Sequence, residues 1–221
     1  MPHLRHLEVQ PNSLRSWPSN LPMKLPNLRR LVVRDYYAVF LSAVEAPLLE
    51  DLALDVNNPT ALSHEIGAAL VIHCQVNLAS VRKLHLTFTD PVVAASATHR
   101  FAQAFPFITQ LSCRLLSRVP APDDNAFLMH VYEALQEIDP LHGQLWPHVT
   151  TLDLCERYPS VFPTNALKTL LIRRAGAGYP IQTITLPKNQ LDEGLAMAGA
   201  TEPRVQVLEN VYVAPCYTPE W

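Results

Sequence analysis

The residues able to do chemistry in this chain lie far apart. Nine histidines and four cysteines could ligate a metal or supply a nucleophile and its base, but their spacing suits neither task. His73 and Cys74 are adjacent, whereas neighbours on one helix face stand three or four residues apart. Cys74, Cys113, Cys155 and Cys216 form no C-x-x-C pair. Asp123-Asp124 could be a paired acid and base, yet two carboxylates ahead of a helical stretch serve better as an N-terminal cap. There is no G-x-S-x-G elbow, no G-x-x-x-x-G-K-[ST] phosphate loop and no H-E-x-x-H helix. Six glycines leave little material for a cofactor loop. The expectation is a protein with no catalytic residues, no metal and no organic cofactor of its own; an enzyme with a site built from distant residues is the remote alternative.

The chemistry that remains is recognition by charge and shape, and a repeated phrase arranges it. Pro-x-apolar-x-x-Leu-x-apolar appears as Pro2-Leu4-Leu7-Val9, Pro26-Leu28-Leu31-Val33, Pro47-Leu49-Leu52-Leu54, Pro106-Ile108-Leu111-Cys113 and Pro147-Val149-Leu152-Leu154. Val81-Leu84-Leu86 lacks the proline, and in Ile181-Ile184-Leu186 the proline sits one residue closer. The first apolar positions are separated by 24, 21, 32, 27, 41 and 32 residues, a period of short stacked repeats. The last two apolar positions alternate with polar ones and point to one face of a short strand. Proline fixes φ and donates no hydrogen bond, so it suits the point where the chain comes into the strand before pairing begins. Six of the twenty prolines in 221 residues sit at these repeat entries rather than in a low-complexity run.

Helical stretches separate the phrases. Ala38 to Ala46 is short. Thr60 to Cys74 carries Leu62, Ile66, Ala69, Leu70 and His73 at the spacing that buries one side of a helix. Val92 to Phe105 and Asp124 to Ile138 follow, then Asn165 to Ala175, with Leu167, Leu170 and Leu171 inward and Lys168, Arg173 and Arg174 outward. Asn189 to Ala198 is the weakest. The fold expected is an α/β solenoid of about seven irregular repeats, with parallel strands on its concave side and helices on its convex side, as one domain over residues 1–221.

The stretches LPNLRRLVVRDYYAVFLSAVEAPLLEDLALD (Leu25 to Asp55), LWPHVTTLDL (Leu145 to Leu154) and NALKTLLIRRAGAGYPIQTITLP (Asn165 to Pro187) resemble the leucine-rich-repeat region of fungal F-box proteins, especially the divergent set of mushroom-forming fungi. The likeness covers nearly the whole chain. It implies the substrate-binding part of a ubiquitin-ligase adaptor, with the ligase scaffold gripped through an F-box upstream of Met1; the chain opens inside a repeat phrase and is expected to be a fragment without that F-box and its cap. A leucine-rich-repeat scaffold or regulator unrelated to ubiquitin transfer is the alternative. The family phrase ends in an Asn, which Asn12, Asn57 and Asn189 match and Tyr36, Thr89, Leu116 and Arg157 do not.

Composition restricts the partner to a protein. The net charge of −3 and pI near 6.3 provide no basic footprint for nucleic acid. No stretch approaches the roughly 20 apolar residues that span a bilayer, and the first residues hold no signal-peptide core. Unpaired thiols fit a reducing compartment, cytoplasmic or nuclear. The residues facing away from the core fall into three rows. The first runs His6, Arg30, Asp51, Lys83, Gln110, Thr151 and Thr183; the second Glu8, Val32, Ala53, His85, Ser112, Asp153 and Thr185; the third Gln10, Arg34, Asp55, Thr87, Arg114 and Cys155. Arg30, Asp51 and Lys83 form a plus, minus, plus ladder. Arg30, Val32, Arg34, Asp51, Asp55, Lys83, His85, Arg114 and Asp153 are the candidate partner-binding residues. Tyr36, Tyr37 and Phe40 are read as packing the strand-to-helix turn, Trp146 as packing beneath the sixth repeat, Trp17 as covering the first end, and Trp221 as a terminal residue that either docks or stays loose.

Overall fold

Four of the phrases begin with a hydrogen-bonded reverse turn whose chemistry is local. Pro26, Pro47 and Pro147 occupy its second position, where a fixed φ is favourable. The apolar residue two places on closes the turn: Leu28 N donates to Leu25 O at 3.2 Å, Leu49 N to Ala46 O at 3.0 Å and Val149 N to Trp146 O at 3.2 Å. The phrase without proline makes the same turn, Val81 N to Leu78 O at 3.1 Å. Proline therefore favours this geometry without being required for it.

The computed structural model describes residues 3–10, 22–34, 37–56, 64–88, 91–115, 125–139, 143–156, 164–187, 190–198 and 205–210, and the structural statements below concern these. In chain order the elements are β1 (His6–Val9), β2 (Met23–Lys24), β3 (Arg30–Arg34), α1 (Tyr37–Leu41), β4 (Val44–Glu45), β5 (Asp51–Val56), α2 (His64–Asn77), β6 (Lys83–Phe88), α3 (Pro91–Ala104) and β7 (Gln110–Leu115). They continue with α4 (Asn125–Gln136), β8 (Ile138–Asp139), β9 (Gly143–Gln144), β10 (Thr151–Glu156), α5 (Thr164–Gly176), β11 (Thr183–Pro187), α6 (Leu191–Ala198) and β12 (Gln206–Asn210).

The fold is α/β, built on an eight-stranded parallel sheet in the order β1-β3-β5-β6-β7-β10-β11-β12. Neighbours in the sheet thus follow the order of the chain. The register matches equivalent positions of successive phrases, as in Leu31↔Leu52↔Leu84↔Leu111↔Leu152↔Ile184. Parallel sheets are usually covered on both faces. Here the alternation is strict enough to leave one face open: in β5, Leu52, Leu54 and Val56 are buried while Asp51, Ala53 and Asp55 are half-buried. The buried face joins Leu70, Cys74, Phe101, Leu128, Leu135, Leu167 and Leu170 of the helices in one continuous core.

Several expectations need correction. The sheet has an eighth strand, β12, that the phrase count omitted. Its apolar residues Val205 and Val207 stand two apart rather than three, and Glu209 occupies the last apolar position, opposite Leu186. The first helical stretch stops at Leu41, and Val44–Glu45 is instead a strand paired with Met23–Lys24. Ala69 is exposed, because α2 turns Leu70 and Cys74 inward, with Leu78 buried just beyond its end. Of Asp124 to Ile138, Asn125–Gln136 is helical while Ile138 is not, opening instead a short hairpin with Gln144. Arg174, expected outward, is fully buried. Leu62, the side chain of Ile66, the Asp123-Asp124 cap, Trp17, Trp221, Cys216, the Cys155 side chain and the phrase-ending Asn and non-Asn positions lie outside the described residues.

Candidate functional site

The open face of the sheet is where strand periodicity brings distant polar residues together. His6, Arg30, Asp51, Lys83, Gln110, Thr151 and Thr183 are in direct register, as are Glu8, Val32, Ala53, His85, Ser112, Asp153 and Thr185. Arg34, Asp55, Thr87, Arg114 and Cys155 form the third row; Gln10 lies beyond β1. Rungs stand about 4.8 Å apart, so the rows read as lines of side chains crossing the sheet.

The charges pair across those lines. Arg30 Nε lies 3.6 Å from Asp51 Oδ2, and His85 Nε2 lies 3.3 Å from Asp51 Oδ1, a contact that is ionic only when the imidazole is protonated. The plus, minus, plus ladder is therefore bent: Asp51 contacts Arg30 directly and His85 on the diagonal, while Lys83 acts on it through charge alone. Arg34 reaches back to Glu8, with Nη2 2.7 Å and Nε 2.9 Å from Oε1. Arg114 Nη2 stands 3.5 Å from Asp153 Oδ2. Burial pushes the Asp51 carboxyl up, but the His85 contact and the charges of His85, Arg30 and Lys83 outweigh it and hold the group below 3.8.

Asp153 belongs to this surface differently from the others. It is only 9% exposed, and its Oδ2 accepts a 2.8 Å hydrogen bond from the fully buried Ser112 Oγ. Small Ser112 sits below the level of its neighbours, and the pair forms a polar floor rather than a charged rim. Sequence reasoning placed Ser112 in the second outward row, whereas the structure buries it. His85, Ser112 and Asp153 are consecutive in their row, and those residue types serve acyl transfer elsewhere. Such a triad needs the serine hydroxyl to donate to the imidazole; here it donates to the carboxylate, while the imidazole faces Asp51.

Three other reactive side chains, His73, Cys74 and Cys113, are held in structural contacts or in the core. His73 Nε2 lies 2.9 Å from Val44 O and its Nδ1 3.2 Å from Asn77 Nδ2. A carbonyl only accepts, which assigns the ring proton to Nε2 and makes Nδ1 the acceptor of the amide. His73 thus ties α2 to β4. Burial pushes the Cys74 thiol up to about 12, and burial with the nearby Asp153 charge pushes Cys113 up as well. Phe40 is buried as expected; the side chains of Tyr36 and Tyr37 lie outside the described residues. Among the described residues no three His, Cys, Asp or Glu side chains converge as metal ligands, and no helix is long and apolar enough to cross a membrane.

Behind the sheet, Arg174 organises the turn leading into β10. Its Nε donates to Tyr179 O at 3.1 Å, Nη1 to Leu135 O at 3.0 Å, and Nη2 to Trp146 O at 2.9 Å and Val149 O at 3.4 Å. Burial lowers its pKa to about 10, which leaves it charged at neutral pH. Carbonyl dipoles, including one from the last turn of α4, take the place of a counter-ion. Trp146, buried as expected, is the one non-glycine residue with positive φ among those described, at 49°. A bulky residue held there costs on the order of 1–3 kcal/mol, and the guanidinium bond to its carbonyl helps to hold it.

Compared with protein-family models, curated proteins and solved structures, the chain shows no match.

Proposed function

We propose that this chain is a leucine-rich-repeat solenoid that recognises a protein through the open face of its sheet, as the substrate-selecting part of an F-box type ubiquitin-ligase adaptor. The observation that carries the recognition reading is the in-register polar strip: Arg30, Asp51, His85, Arg34, Glu8, Arg114 and Asp153 lie on the face left open by the helices. The repeated phrase, the shared turn geometry and the sequential strand order support the solenoid reading. Opposite charges alternate across the strip, which suits a folded protein or peptide with mixed charges of its own. Val32 and Ala53 offer short side chains between the charges, where a partner's anchoring side chain fits. The adaptor reading rests on the resemblance of the repeat sequences and works in the cytoplasm or nucleus. Ligase recruitment would come through an upstream F-box, and the repeats would contribute no catalytic step.

The test is affinity capture from cell extract followed by mass spectrometry, using the chain, its Asp51→Lys/Asp55→Lys variant, and a version extended upstream in its reading frame. Clients held by the chain and lost by the variant support the surface, and ligase subunits recovered with the extended version support the adaptor role. Clients held equally by the variant overturn the surface. Shared clients with no ligase subunit on the extended version favour a repeat scaffold unrelated to ubiquitin transfer.

A further inference from the structure

The turns that lead into the strands form a second surface, along the edge of the sheet. The residue before each strand is held to the next rung by a backbone bond: Arg29 N to Arg5 O at 2.9 Å, Glu50 N to Arg29 O at 2.9 Å, Arg82 N to Glu50 O at 3.0 Å, Thr109 N to Arg82 O at 2.8 Å and Thr150 N to Thr109 O at 3.0 Å. Arg5, Arg29, Glu50 and Arg82 therefore stand in one line. Glu50 is neutralised by its ion pair with Arg29. Arg5 and Arg82 have no carboxylate partner among the described residues; Arg82 Nη1 donates to Ala79 O at 2.9 Å and Val81 O at 3.0 Å, which holds the guanidinium at the turn. This edge is thus locally cationic on a chain whose net charge is −3.

The same edge exposes large apolar groups. Leu48 and Phe107, at the third position of their turns, are 40% and 50% exposed. The Arg82 guanidinium carbon lies 5.9 Å from the centre of the Phe107 ring, and His148 stacks against that ring at 6.1 Å and 26°. Beside this stack is a groove of about 280 Å³ with Pro106, Phe107, Pro147 and His148 on its lining beside Gln75, Gln103 and Gln144, over buried Ala102, Leu145 and Trp146. Trp146 is the strained residue pinned by Arg174, and its indole N–H has no acceptor among the described residues.

We propose that this edge docks an acidic, extended segment of a partner protein, with one large apolar side chain in the groove and a carboxylate beside it on Arg82. Apolar lining selects the anchor, and the two arginines without a carboxylate partner among the described residues select the sign of the residues around it. Three rungs separate Arg82 from Arg5, about 14 Å at the usual strand spacing, so a second carboxylate four or five residues from the first meets Arg5 in an extended chain. A nucleic acid is disfavoured, since two such arginines on an acidic chain make a small basic footprint. The surface is separate from the sheet face, so failure of either leaves the other standing.

Fluorescence anisotropy on the full chain tests the proposal with a fluorescein-labelled peptide in which a tryptophan is flanked on both sides by glutamates. Saturable binding is expected, weakened at least about tenfold by Arg82→Glu or Phe107→Ala, and weakened as much when lysines replace the glutamates or alanine replaces the tryptophan. Both protein side chains are largely outside the core, so thermal unfolding should match the parent; the peptide-side changes read the same site without any variant. No saturable binding, equal binding of the lysine peptide, or undiminished binding by both variants overturns the proposal. Tighter binding of a labelled single-stranded oligonucleotide than of the acidic peptide also overturns it.

Discussion

Arg30 and Arg174 show how differently one residue type behaves on the two sides of this sheet. Arg30 stands on the open face, with about half its side chain in water, 3.6 Å from Asp51. Arg174 is 1% exposed and spends its donors on four backbone carbonyls from three parts of the chain. The first pair is loosely held and screened by solvent. The second joins α4, α5 and the turn before β10, and contributes to stability and to the shape of the groove. Position in the fold, rather than charge, separates a surface residue from a structural one.

The two faces differ most sharply within β5 and β6. Asp51 is harmless on the open face, whereas Leu52→Asp or Leu84→Asp places an unpaired carboxylate in the fully buried core. Either should lower stability by at least about 4 kcal/mol, read as loss of cooperative unfolding in urea. An unchanged transition would overturn the register that puts the two positions on opposite faces.

Next in size is Arg174→Met, which keeps bulk but leaves the carbonyls of Leu135, Trp146, Val149 and Tyr179 without this donor. A loss of roughly 3 kcal/mol is expected, together with a change in Trp146 fluorescence as its turn relaxes. Arg174→Lys should recover only part, since an ammonium lacks the planar fork that reaches several acceptors at once. A Met variant as stable as the parent would show that the cluster is dispensable.

Ser112→Ala removes the donor to buried Asp153 and should cost roughly 1–2 kcal/mol. Restoration of parental stability when Asp153→Asn is added would show that the deleted hydroxyl matters through the carboxylate charge.

The smallest effect belongs to the exposed ladder. Arg30→Gln should change stability by no more than about 1 kcal/mol, and less at high salt. Asp51 has a pKa depressed below its unfolded value, so its contribution is present above that value and is lost as pH falls through the folded one. Between neutral pH and values below 3.8, the parent should therefore lose more stability than Asp51→Asn. Parallel pH profiles for the two proteins would remove Asp51 from the stabilising network and leave it to recognition alone.

Much of this arrangement was legible in the chain. Strand register and the three outward rows follow from a period of two and a proline turn, both set by neighbours a few residues away. Arg174 was partly legible: it lies seven residues beyond Leu167, on the face shared by Leu170 and Leu171, but its residue type argued for the surface. Strand β12 was obscured because its apolar spacing is one residue short and Glu209 replaces an apolar residue. The exposed side chains at the third turn position, Leu48, Phe107 and His148, form a row that an inspection of turns as well as strands would have found.

The sequence by itself determined which side chains alternate, where each turn falls and which charges share a row, because these depend on contacts within one phrase. Only the tertiary structure decided that Asp153 is a floor, that Arg174 is a buried tie and that Phe107, Trp146 and His148 share a groove. Those outcomes depend on which side chains of neighbouring rungs, some forty residues away, cover each position. A repeat pattern reports the direction of a side chain from its own element, while burial is set by what packs over it.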